Sequence, residues 1–278
     1  MKISLMRRLS FKLRRILGRP VTCDDIWAMC DEGARKEAYV TIGGIIENHP
    51  EVLEHGGTCT LWANLVLAAT DDVCRAIELL DKAHELGVED MAYYHAVRGE
   101  AMRALGNREK AMQNYEKSIA INATVLCLES YGQVLSESND GRATEILQQL
   151  LEMDRENCTA HVYIGMELAK SGDRDRAMLM AQKAQELTPS AEDMLSIGLL
   201  YYELEEFPAT IKMCLEAHRL GNEDKAGVYA TIAASHLALG QPDEARGYAQ
   251  RALSCDPGHD YANEIWREYE KRVGQGEK

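Results

Sequence analysis

Apolar residues recur along most of this chain at helical spacing, and one short pattern is written several times. "LGNREKAMQNYEKSIAINAT", "SGDRDRAMLMAQKAQELTPS" and "LGQPDEARGYAQRALSCDPG" each run from a turn into a polar start, a small residue and an apolar stripe. The small residue recurs at Ala38, Ala76, Ala111, Ala143, Ala177, Thr210 and Ala245, in steps of 38, 35, 32, 34, 33 and 35. Four residues later stand Ile42, Leu80, Tyr115, Leu147, Ala181, Cys214 and Ala249. Seven later stand Ile45, Ala83, Ser118, Leu150, Ala184, Ala217 and Ala252. An i, i+4, i+7 set is one face of a helix. Twelve residues before the small position lie Gly99, Gly165, Gly198 and Ala233, which let two helices approach closely. Five residues before it lie Gly33, Asp71, Gly106, Gly172, Glu205 and Gly240, the expected turns. Pro50, Pro189 and Pro257 fall where the second helix must stop.

One such helix pair cannot bury its faces alone, and stacked pairs bury a continuous core. The pattern resembles the tetratricopeptide repeat family, whose unit is a helix–turn–helix of 34 residues. The units fall at 19–52, 57–90, 92–125, 124–157, 158–191, 191–224 and 226–259. The 158–191 unit matches the family pattern most fully, the first two are weak, and 124–157 is one residue short around "SESNDG". The expected fold is all-α: a right-handed solenoid of about seven helix-turn-helix repeats with a C-terminal capping helix. Residues 1–20 form a basic amphipathic segment, 21–259 the solenoid and 260–278 the cap and a frayed tail. In the cap, Tyr261, Ile265, Trp266 and Tyr269 make one stripe, and Glu264, Arg267, Glu268, Lys271 and Arg272 cover the rest.

Charge divides the chain. The 278 residues carry a formal −14, yet residues 1–20 hold seven Lys or Arg and no acid. The remainder has 24 basic against 45 acidic residues, which argues against general nucleic-acid binding. The eight cysteines form no CxxC pair and read as buried thiols of a reducing compartment. No apolar run is long enough to span a membrane, and arginines interrupt any secretory core.

Catalytic signatures are absent: no P-loop, GxGxxG after a strand, HExxH or GxSxG. "HGGTC", His55 to Cys59, could hold half a metal site but reads better as an inter-repeat loop, and Cys23 and Cys30 suit packing better than redox pairing. Neither enzyme activity, nor a cofactor, nor a metal is expected.

What the resemblance implies about function lies in the groove, which the family lines with repeat positions 2, 5, 9 and 12 of the first helices. Carried over, these give Leu61, Leu65 and Ala68, then Val162, Met166 and Ala169, then Leu195, Leu199 and Tyr202, then Ala230, Ala234 and Leu237. The 92–125 unit is more polar, with Tyr93, Glu100 and Arg103. A subset of the family grips chaperone C-terminal carboxylates with Lys or Arg and Asn at these positions. This sequence has Leu, Val or Ala at position 5 and no Asn at position 9, so that ligand is excluded. An apolar groove suits a helical or apolar protein segment. The alternative is that some of these side chains pack against neighbouring first helices.

In "MKISLMRRLSFKLRRILGRP", Met6, Leu9, Leu13, Ile16 and Leu17 oppose Arg8, Lys12, Arg15 and Arg19, with Arg7 and Arg14 beside them. Three readings stay open: lying on an anionic membrane surface, docking on the acidic solenoid, or organellar targeting. The sequence thus reads as a non-enzymatic cytoplasmic adaptor, possible on the cytoplasmic membrane face through Arg7, Arg8, Lys12, Arg14 and Arg15. A self-assembling scaffold and a regulatory subunit of an enzyme complex are the alternatives.

Overall fold

The computed structural model describes residues 35–48, 50–70, 72–187, 190–222 and 224–276. Among these residues the secondary structure is entirely helical. Helix α1 (Arg35–Asn48) is the second helix of the first repeat, and a 3-10 turn (Pro50–Glu54) follows it. Pro50 thus falls just past the helix, as its missing N–H requires. Six helix pairs come next: α2 (Gly56–Ala69) with α3 (Val73–Leu86), and α4 (Met91–Ala104) with α5 (Arg108–Ile121). Then come α6 (Val125–Glu137) with α7 (Ala143–Met153), and α8 (Cys158–Lys170) with α9 (Arg174–Glu186). The last pairs are α10 (Ala191–Glu203) with α11 (Phe207–Arg219), and α12 (Lys225–Ala238) with α13 (Pro242–Cys255). A final helix, α14 (Asp260–Gly276), closes the array. The order fits about seven repeats and a cap. The chain divides into two compact units, Met1–Ser130 and Tyr131–Lys278. The basic segment 1–20, the turn at Gly33 and the pair Cys23 and Cys30 lie outside the described residues.

The recurring small residue is buried in every described second helix. Ala38, Ala76, Ala111, Ala143, Ala177, Thr210 and Ala245 are all fully buried. The residues four later are buried too, and those seven later are buried except Ile45, which is half-buried. Size is matched across each pair. A Cβ on Gly99 would come within 2.5 Å of the Tyr115 ring, and one on Gly132 within 2.5 Å of Leu147. A Cβ on Gly198 would stand 3.1 Å from the Cys214 sulfur. In the last pair the opposing stripe residue shrinks to Ala249, and an alanine, Ala233, packs in the same cluster. Gly132 has this role although its repeat is one residue short, because the second helix of that repeat starts late, at Ala143, and still brings Leu147 opposite the glycine.

The turns show the same rule. Gly106, Gly172 and Gly240 take φ of +73°, +83° and +71°. Two turns must do this without glycine: Asn139 at +53° and Glu205 at +57°. The left-handed region costs an ordinary side chain about 1–2 kcal/mol, and Asn tolerates it better than Glu. Helix starts are fixed by side-chain caps. Asp72, Asp90, Asn107, Asn157, Asp173 and Asp224 each accept the backbone N–H three residues on. Ser190 and Asp193 form a reciprocal capping box. Pro208 and Pro242 instead open α11 and α13, where a missing N–H is harmless.

The cap packs as its stripe implies. Ile265 is buried with Ala233, Ala234, Leu237, Ala245 and Ala249, and Tyr261, Trp266 and Tyr269 close over them. Arg272 donates to the Leu237 carbonyl at 2.9 Å, tying α14 to the last turn of α12. At the other end of α14, the His259 ring accepts the Ala262 N–H at 3.2 Å.

Candidate functional site

The first helices of the pairs carry the positions singled out in the sequence, and burial sorts those positions into two groups. Leu61 and Leu65 are buried in α2 among Cys59, Trp62 and Val66. Val162 is fully buried in α8 against Ala177, Ala181 and Ile197, and Leu237 lies beneath α14. These four are core residues and offer no surface to a ligand here, because neighbouring helices already occupy the space they face. Met166, Leu195, Leu199 and Tyr202 are half-buried, so part of each side chain remains at the surface. Arg7, Arg8, Lys12, Arg14 and Arg15 lie outside the described residues.

In the first unit the corresponding face is polar and internally bonded. Asn64 on α2 donates to the Tyr93 hydroxyl on α4 at 2.9 Å. Tyr115 on α5 donates to Glu100 at 2.8 Å, and Arg103 grips the same carboxylate through two nitrogens. Burial pushes the Tyr115 phenol far above its ordinary value, and the Glu100 charge adds to the rise. Arg98 bridges Asp81 and the Tyr94 hydroxyl, its guanidinium 5.8 Å from the Tyr94 ring centre. The arrangement spends its polar groups on one another.

The second unit presents a different face. Met166 leans on the α8–α9–α10 core, and Leu195 on Cys214, Val228 and Ile232. Tyr202 packs over the α12–α14 cluster and meets the Phe207 ring edge-on at 5.5 Å. Its phenol is raised by burial, then by Glu203, while a hydrogen bond from Tyr261 opposes the rise. Tyr261 itself is held well above the usual range by burial beside Tyr202. Beside this strip, Lys170 donates to the Ser136 carbonyl, Asn139 and Glu167, and Ser136 donates to Glu167 at 2.6 Å. This network ties α8 to the left-handed Asn139 turn. The sequence reading missed both the Lys170 network and the packing of Tyr202 and Tyr261 on one cluster. Tyr261 was visible as part of the cap stripe, but no local signal joins it to a residue 59 positions earlier.

Among the described cysteines, Cys59, Cys127 and Cys214 are buried, Cys158 is half-buried, and Cys74 and Cys255 are exposed. Burial raises the thiols of Cys127 to about 11 and Cys214 to about 12, which suppresses thiolate formation at neutral pH. In "HGGTC", Cys59 donates to the Leu53 carbonyl while His55 sits exposed at the start of α2. The two therefore point to different surroundings. No described helix is long and apolar enough to cross a membrane.

The sequence model of the tetratricopeptide repeat matches residues 92–124, the unit read as 92–125 and formed by α4 and α5. No curated protein sequence matches the chain. Solved structures do match. A chain of the Cut9–Hcn1 hetero-tetramer of the APC/C superposes with a TM-score of 0.72 at 17% identity, over 95% of this chain and 52% of that one. A tetratricopeptide repeat protein of Parabacteroides merdae gives 0.63 at 14% identity, covering 88% and 96%. A thermophilic tetratricopeptide repeat protein of Thermus thermophilus gives 0.56 at 19%, covering 66% and 98%. At such identities the likeness concerns the fold, and this chain spans about half the length of the Cut9–Hcn1 chain it matches. Residues 92–124 match the tetratricopeptide repeat, and the chain shares the fold of these tetratricopeptide-repeat structures. Repeats of this kind are in general protein-interaction modules.

Proposed function

We propose that this chain is a non-enzymatic adaptor that binds a helical or apolar segment of a protein partner along the first helices of its second unit. The observation that carries the reading is the half-buried set Met166, Leu195, Leu199 and Tyr202 on two adjacent first helices, α8 and α10. An apolar strip left partly open to water favours an apolar partner surface. The buried residues Leu61, Leu65, Val162 and Leu237 are left out of the proposed binding set.

Membrane attachment on the cytoplasmic face belongs to the same proposal. The opposed apolar and cationic stripes of residues 1–20 support it, with each cation contributing up to about 1 kcal/mol near an anionic surface. Self-assembly and service as a regulatory subunit are the competing readings. Changing Met166 and Leu199 to Glu in the full chain is expected to abolish partner capture while the array still folds and melts cooperatively. Capture that survives the double change places binding elsewhere. Vesicle flotation of the full chain, with Arg7, Arg8, Arg14 and Arg15 changed to Glu, tests the anchor, and equal flotation of both proteins removes it.

A further inference from the structure

The open strip in the second unit has an acidic border along α10 and the turn after it. From Ala191 to Glu206 the chain carries Glu192, Asp193, Glu203, Glu205 and Glu206 and no basic residue. Glu192 opens the α10 stripe that continues through Leu195, Leu199 and Tyr202, and Glu203 ends it. Glu192, Glu203 and the turn residue Glu205 are exposed, while Asp193 serves the capping box and Glu206 pairs with Arg174 at 2.8 Å.

The strip is also continuous with an interface already formed. Tyr202 packs on the same cluster as Ile265 and Tyr261 of α14. Helix α14 therefore covers Ala230, Ala234 and Leu237, the groove positions of the last repeat. The equivalent positions of the two preceding repeats, Met166 and Leu199, stay half-open.

We propose that this strip takes a cationic amphipathic helix of a partner protein, laid across Met166, Leu199 and Tyr202 beside α14, with its basic flank against Glu192, Glu203 and Glu205. The proposal rests on the adaptor reading and adds the partner's charge and place. The apolar face of the incoming helix does on α8 and α10 what Tyr261 and Ile265 do on α12. Carboxylates at both ends of the strip reject an acidic helix and steer a basic one.

Two labelled probe peptides test it against the full chain by fluorescence anisotropy: an amphipathic Leu/Lys helix, and the same register with Glu for Lys. The Leu/Lys peptide is expected to bind at least about tenfold tighter, with the margin shrinking as salt rises. Leu199→Glu should remove binding, and Glu192→Lys with Glu203→Lys should reverse the preference. Circular dichroism melts confirm that both variants fold. Equal binding of the two peptides, or binding indifferent to Leu199, overturns the proposal. If only the acidic peptide binds, through Leu199, the cationic assignment falls and the adaptor reading stands. If neither peptide binds, the cationic assignment falls, and partner capture by the Leu199 variant decides whether the adaptor reading falls with it. A protein mass that rises with concentration, and no longer does so in Leu199→Glu, gives the strip to residues 1–20 of a second copy and overturns the separate partner.

Discussion

Glu100 in the first unit and Leu199 in the second stand at the same repeat position, each directly after a close-approach glycine, Gly99 or Gly198. Both are on first helices and neither is fully buried. Yet one closes a polar network and the other leaves an apolar surface half-open. The difference traces to the residue each glycine faces on the second helix. In the first unit this is Tyr115, whose buried hydroxyl demands an acceptor, and Glu100 supplies it. In the second unit it is Cys214, which asks for little, so the next position is free to be apolar. Met166 likewise follows a close-approach glycine, Gly165, which faces apolar Leu200 of the next first helix and Met180 of its partner helix. The binding character of a face is thus decided from behind it, by what the second helix packs.

The largest expected effect comes from removing that demand. Tyr115→Ala should destabilise by about 3–5 kcal/mol, since it empties a fully buried aromatic site; urea denaturation measures it, and a loss under 1 kcal/mol would show that Glu100 and Gly99 are not built around the ring. Next, Glu100→Leu should cost about 1–3 kcal/mol by withdrawing the carboxylate from a buried hydroxyl. Leu199→Glu, the mirror change in the second unit, should cost less than about 1 kcal/mol because its site is already partly wet. Equal costs would erase the distinction between the two faces. Smaller again, Glu205→Gly should stabilise the second unit by about 0.5 kcal/mol, the relief of its left-handed φ less the freedom glycine adds to the unfolded chain, whereas the same denaturation series should show Gly172→Ala losing stability.

The smallest effect is a pH dependence confined to the first unit. His95 lies below its ordinary value chiefly because burial penalises its charged form. The Asn114 hydrogen bond opposes this, and the cations Lys117, Arg98 and His84 reinforce it. A folded value below the unfolded one means that stability is whole above the unfolded value of about 6.5. It is then lost as pH falls through the folded value. A thermal melt series from neutral to acidic pH should show the slope flatten in His95→Gln; an identical slope would assign the loss to other groups.

Much of the array was legible in advance because a helix pair repeats its packing locally. Ala111, Ala177 and Ala245 announced the tight contacts, and Gly106, Gly172 and Gly240 the left-handed turns. The capping helix was readable from Tyr261, Ile265 and Trp266. The binding positions were legible only in part. Position within a repeat names the side chains that point along the first-helix face, and it picked Leu65 and Val162 as readily as Leu199.

Alone, then, the sequence determined the all-helical repeat architecture, since period, glycine placement and stripe are short-range properties that each repeat states for itself. Only the tertiary structure decided which apolar residues remain open. That depends on what the neighbouring pair brings across: Ala177 and Ile197 over Val162, and Ile265 over Leu237. Nothing comparable fully closes over Met166 and Leu199. Burial is a property of assembled neighbours, and so the site, unlike the fold, could not be read from one repeat at a time.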